Sequence, residues 1–120
     1  MMVRAFRGAT TIEENTAEEI RQAAKEMTAE ILEKNGIGKE DLVSIIFTVT
    51  PDITAAFPAS GVREMGICDV PLLDMAAPAI DNMLPMCIRV MIYAETELGR
   101  EKIEHVYLNG AVRLRPDLVK

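Results

Sequence analysis

Leu42-Val43-Ser44-Ile45-Ile46-Phe47-Thr48-Val49-Thr50 is almost wholly apolar and β-branched, and Pro51-Asp52 breaks it. Such a run reads as a central strand, buried on both faces of a sheet. A second strong strand runs from Met86 to Thr96. Between the two, Pro58 opens a short helix through Met65, because proline suits the first helical position, and Gly66 stops it. Val70-Pro71-Leu72-Leu73-Asp74-Met75 is a short extended piece, which Pro71 makes an edge or irregular strand. Residues 76–85 contain two prolines and read as a loop.

Working outward, residues 2–9 alternate as a strand does. Val3, Ala5 and Arg7 share one face, Arg4 and Phe6 the other. A helix follows, with Thr16 as N-cap and Glu19 as the partner of a capping box. Ile20, Ala23, Ala24, Met27, Ile31 and Leu32 recur at helical spacing, and Asn35-Gly36 ends the helix. Toward the other terminus, 97–104 is a polar connection. His105 to Leu114 reads as a last strand bent near Asn109-Gly110, and 115–120 as a tail. The chain therefore reads as a single domain over residues 1–120 of the α/β (α+β) class. Its sheet is mixed, of roughly five to six strands, with the helices on one face. The other face needs cover, and a partner subunit is the simplest supplier.

Nearly half the residues are apolar and about a quarter charged, the balance of an ordinary globular domain. A formal net charge of -6 argues against nucleic acid, which selects clustered lysine and arginine. No apolar run approaches the length of a membrane span, and the N-terminus lacks the apolar stretch of a signal peptide. Cys68, Cys87 and the single histidine, His105, have no metal-ligand spacing. Two isolated cysteines without an export signal read as reduced thiols of a cytoplasmic protein.

The sharpest chemical feature is Arg89, set inside the apolar run Cys87-Ile88-Arg89-Val90-Met91-Ile92-Tyr93. A guanidinium cannot be neutralised there, so it must face a carboxylate, a subunit interface or an anionic ligand. Arg7 ends an apolar strand beside Gly8, where a backbone can approach a ligand closely. Arg63, in the short helix, and Arg115, in the tail, read singly as surface residues. Tyr107 and His105 share one face of the last strand, and neither makes a site by itself. Asp74 is an acid set among apolar neighbours, either a turn or loop cap or an anionic partner for a ligand. Phosphate loops, dinucleotide fingerprints and nucleophile elbows are absent. Arginines, a tyrosine and a carboxylate suit electrostatic catalysis on a carboxylated small molecule.

Five segments in order resemble one family, the trimeric α/β chorismate mutases. They are Arg7-Gly8-Ala9-Thr10-Thr11; Thr50-Pro51-Asp52 with Phe57-Pro58-Ala59 and Val62-Arg63-Glu64; Cys87-Ile88-Arg89-Val90-Met91; His105-Val106-Tyr107-Leu108; and Leu114-Arg115-Pro116-Asp117-Leu118. The resemblance implies conversion of chorismate to prephenate without a cofactor or metal, in the route to phenylalanine and tyrosine. It implies a homotrimeric pseudo-α/β-barrel with active sites at subunit interfaces. Arg89 would reach the ether oxygen of the breaking bond, Arg7 a substrate carboxylate, and Tyr107 the side-chain carboxylate. Phe57 would wall the pocket from the neighbouring subunit, with Arg63 and Arg115 near its mouth and Leu73 among the substrate contacts. One position departs from the pattern. Where the family usually carries a glutamate facing the substrate ring, this chain has Ala77, and Asp74 is the expected substitute.

Two other classes share part of the pattern. A Rid-type enamine/imine deaminase also places an arginine in an interface pocket, but leaves Tyr107, Asp74 and Arg115-Pro116-Asp117 without an obvious role. A non-catalytic trimer that binds carboxylated metabolites would use the same arginines.

Overall fold

A computed structural model describes residues 1–114, so the calls on Arg115 and the 115–120 tail lie outside the described residues. Five strands and two helices follow one another along the described chain: β1 (Met2–Thr11), α1 (Ala17–Asn35), β2 (Leu42–Val49), α2 (Pro58–Glu64), β3 (Leu72–Ala76), β4 (Cys87–Thr96) and β5 (Val106–Tyr107). The strands form one mixed sheet in the order β3-β2-β4-β1-β5. β4 runs antiparallel to both β1 and β2, whereas β3 pairs parallel with β2 and β5 parallel with β1. Pro71 precedes the edge strand β3, where a missing N–H costs no ladder bond.

Each helix has the ends its sequence gives it. Glu19 N–H donates to the Thr16 hydroxyl at 3.2 Å, the cap expected of Thr16. The return half of the box differs. The Glu19 carboxylate accepts from the N–H groups of Glu13 (2.8 Å) and Glu14 (3.0 Å), and so ties down the β1–α1 connection. Gly36 closes α1 at φ 63°, a left-handed conformation in which glycine carries no Cβ penalty. α2 packs so closely on α1 that a Cβ at Gly61 would lie 2.4 Å from the Arg21 carbonyl oxygen. Glu64 at the end of α2 pairs with Arg21 (3.1 Å) and Lys25 of α1.

Both helices cover the same face of the sheet. Phe6, Ile45, Phe47, Ile88 and Ile92 point there and are fully buried with Ile20, Met27 and Ile31 of α1 and Val62 of α2. Burial of this kind contributes about 1.5–3 kcal/mol per large side chain. The opposite face is open in the single chain. Ile46, Thr48, Arg89 and Met91 are only half-buried, and Leu73 and Met75 are 54% and 49% exposed. The reading of Leu42–Thr50 as buried on both faces is corrected: β2 alternates, with Ile45 and Phe47 inside and their neighbours on the open face.

The last strand is also shorter than expected. β5 pairs with Gly8 and Ala9 for only two residues. Asn109 then turns to φ 53°, and a 3-10 helix follows over Asn109–Arg113. Two threonines at the end of β1 hold this turn. Thr10 Oγ1 accepts from Asn109 Nδ2 (3.0 Å), and Thr11 Oγ1 accepts from Gly110 N (2.9 Å).

Candidate active site

Sheet register brings the two strand arginines together. Arg89 of β4 is flanked by Ala9 of β1 and Thr48 of β2, and Arg7 stands opposite Met91. Cross-strand partners share a face, so Arg7 and Arg89 are diagonal neighbours on the open face, with Cβ atoms roughly 7–8 Å apart. They line one cleft with Ile46, Thr48, Met91 and Pro78. Among the described residues neither arginine forms an ion pair. No internal carboxylate among the described residues engages either cation, and both face an opening of the molecule.

Two buried hydroxyls lie on the same open face, that of Tyr107, expected from the resemblance, and that of Thr48, not expected. Thr48 Oγ1 is buried, lines the cleft and makes no hydrogen bond among the described residues. Tyr107 pairs with Ala9 from the β5 side, across β1 from Arg89 but on the same open face; it is 6% exposed, and its hydroxyl is likewise unsatisfied among the described residues. A buried hydroxyl without a partner costs free energy, so each calls for a water or another molecule to complete its bonding. Tyr107 was singled out by its strand position. Thr48 carried no signal beyond its even register in β2.

The remaining expected residues gather elsewhere. Phe57 is 70% exposed at the start of α2, in a cleft lined by Ile53, Pro58, Asp74, Met75 and Ala76. Arg63 is exposed on α2, close enough to act on the charge of Asp74. This corner lies at the β3 edge, and none of its residues lines the Arg7–Arg89 cleft. Leu73 stands on the open face opposite Ile46.

Asp74 requires a correction. It pairs with Phe47, so it points to the helix side of the sheet, away from Arg89 in the same chain. Its carboxylate accepts from Ala59 N–H at 3.1 Å, capping the first turn of α2 from an adjacent strand. Within one chain, then, this carboxylate caps α2 and lines the cleft of Phe57 rather than that of Arg89. Partial burial pushes its carboxyl above the ordinary value, against the opposing pull of the Ala59 N–H and of Arg63. A raised value means that folding favours the protonated acid, so this group's contribution to stability falls as pH rises from about 4. Asparagine keeps the acceptor oxygen and cannot ionise. Asp74→Asn should be at least as stable as the parent at pH 7, with the difference vanishing toward pH 4, and kcat should stay within about twofold. Thermal unfolding at the two pH values and one rate measurement check this; a large loss of kcat in a folded protein would return Asp74 to the reaction.

Neither cysteine is placed for chemistry. Cys68 is exposed and Cys87 buried, and burial pushes the Cys87 thiol up despite nearby Arg89. No group of three or more His, Cys, Asp or Glu able to hold a metal occurs among the described residues, and none of their helices is long and apolar enough to cross a membrane.

A mixed α+β sheet with one helix-covered face carries on its open face two arginines that form no ion pair among the described residues, an arrangement suited to a carboxylated molecule. Comparison with known proteins makes the class specific. The chorismate mutase type I family matches residues 3–118. Chorismate mutase AroH of Thermus thermophilus is 48% identical over 118 residues, covering 98% of this chain and 97% of that protein. Chorismate mutase AroH of Bacillus subtilis is 44% identical over 119 residues, covering 98% and 94%. A chorismate mutase structure from Clostridium thermocellum superposes with a TM-score of 0.89 at 46% identity, covering 90% of this chain and 96% of that one. The chain belongs to the type I chorismate mutase family, and its activity is the isomerisation of chorismate within aromatic amino acid biosynthesis. This sets aside the imine deaminase and the non-catalytic trimer.

Proposed function

We propose that the chain works as a cytoplasmic homotrimer whose active sites form where the Arg7–Arg89 cleft of one subunit meets the Phe57–Arg63 corner of the next. The observation that carries this reading is the separation of those two groups within one chain, each exposed and each incomplete. The open sheet face, with Ile46, Leu73, Met75 and Met91 on it, supplies apolar surface for the contact.

The rearrangement is pericyclic and needs no acid, base or nucleophile. Two physical effects remain for the protein. Arg7 and Tyr107 hold the carboxylates so that the enolpyruvyl arm lies over the ring, which removes part of the entropic barrier. Arg89 stabilises the negative charge that grows on the ether oxygen as the C–O bond breaks. A strand-borne guanidinium already in place reorganises little. Phe57 closes the pocket against water from the neighbouring subunit, with Leu73 on the substrate's apolar side and Arg63 at the mouth.

The Arg7–Arg89 half of the site has no carboxylate among its lining residues; Asp74 lines the Phe57 half that the neighbour would supply. Ala77 offers none, and Asp74 is engaged by α2. Catalysis in this chain rests on positioning and on the arginines. The test is to follow chorismate loss and prephenate formation with the purified protein while measuring mass by sedimentation. Turnover by a species three chains in mass is expected. A fully active monomer would overturn the shared site.

A further inference from the structure

His105 is the one titratable side chain bonded directly to the backbone of a substrate arginine, and the mechanism above does not use it. Arg7 N–H donates to His105 Nδ1 at 2.9 Å, across 98 positions of sequence. His105 stands just ahead of β5, whose first residue, Val106, pairs with Gly8. The residue before it is occupied elsewhere: the Glu104 carbonyl accepts from Asn35 Nδ2 (2.8 Å), and Glu104 N–H donates to Asn35 Oδ1 (2.8 Å). The chain ahead of β5 is thus tied to α1, and an imidazole takes the N–H of Arg7.

On the other side of Arg7 the backbone has no slack. A Cβ at Gly8 would lie 2.8 Å from Ile31 Cδ1 and 3.1 Å from Met27 Cγ, so α1 presses directly on β1 there. Arg7 is therefore held on one edge by the β4 ladder and by packing at Gly8, and on its β5 edge by one side-chain acceptor at its own N–H.

We infer that His105 is a positioning residue for Arg7, and that a proton on Nδ1 releases the Arg7 backbone and weakens substrate binding. The inference rests on the reading that Arg7 takes a substrate carboxylate. An imidazole accepts at Nδ1 only while that nitrogen is unprotonated, with its proton on Nε2. Protonation turns the acceptor into a donor facing another N–H, and the bond is lost. Among the described residues, the charged and titratable groups lining a cleft with His105 include Arg4 of β1, Tyr93 of β4 and Arg100 of the 100–102 turn, with Arg7 bonded to it and Glu104 beside it in the chain. Arg89 lies in the other cleft, so the chemical step keeps its cation while binding weakens.

The test compares the parent with His105→Asn and His105→Leu. Asparagine places Oδ1 where Nδ1 stood and does not titrate; leucine removes the acceptor. For the parent, KM for chorismate should rise about tenfold between pH 8 and pH 5.5, across the range in which an imidazole takes up its proton, with kcat nearly constant. His105→Leu should show the high KM at every pH, and His105→Asn a low KM at every pH. In the substrate-free protein, the amide resonance of Arg7 should move in step with the imidazole titration of the parent and stay fixed in His105→Asn. An Arg7 amide indifferent to that titration, or a His105→Asn whose KM follows pH as the parent's does, would overturn the inference. Failure of the parent to bind or convert chorismate would instead reject the role of Arg7, and the amide titration would still decide the link between the two residues.

Discussion

Arg89→Lys should lower kcat by about two to three orders of magnitude while the protein stays folded. Arg89 projects from the middle of β4, between Ala9 and Thr48, and no carboxylate among the described residues engages it. Its backbone is held by strands on both sides, so the side chain starts from a fixed point on the sheet before substrate arrives. Lysine keeps the charge and loses the planar fork, so its ammonium must reorganise to meet the ether oxygen. Arg89→Ala should abolish the remaining rate. Neither change breaks an ion pair among the described residues, so thermal unfolding should move little. Steady-state loss of chorismate, read beside an unfolding curve, checks both parts. A lysine variant with most of its kcat would show that any cation on the open face suffices, and that the ether-oxygen role is wrong.

Much of this was legible before the structure, and the reasons differ from element to element. α1 has a capping threonine, a six-residue apolar stripe and a terminal glycine that all agree, and it spans Ala17–Asn35 as those signals require. Pro71 identified the edge strand because a missing N–H is a local fact. β5 was overextended, because Val106 to Leu114 is apolar enough for a strand. What ends it is a tertiary bond between Asn109 and Thr10, which no local pattern contains. Arg89 stood out as a charge in an apolar run. That it is unpaired depends on register, which also turned Asp74 to the helix side. Alternation alone gives a strand two faces and does not say which one a helix will cover.

The division of the site between subunits carries the other large prediction. Take two variants, one with Arg89→Ala and one with Phe57→Ala and Arg63→Ala together. Each is expected to be nearly inactive alone, the first for lack of the cation at the ether oxygen, the second for lack of the pocket wall and the arginine at its mouth. Phe57 and Arg63 are exposed on α2, beyond the β3 edge, and line no surface with Arg89 of their own chain. In a cyclic trimer each site joins the cleft of one subunit to the corner of the next. When equal amounts are unfolded and refolded together, about a quarter of the interfaces join an intact cleft to an intact corner. The mixture should therefore recover about a quarter of the parental rate, where either variant treated alone recovers almost none. If cleft and corner served one another within a chain, every chain in the mixture would carry a defect and no intact site could arise. A mixture as inactive as its components, with trimers confirmed by mass, would thus reject the shared site without touching the role of Arg89.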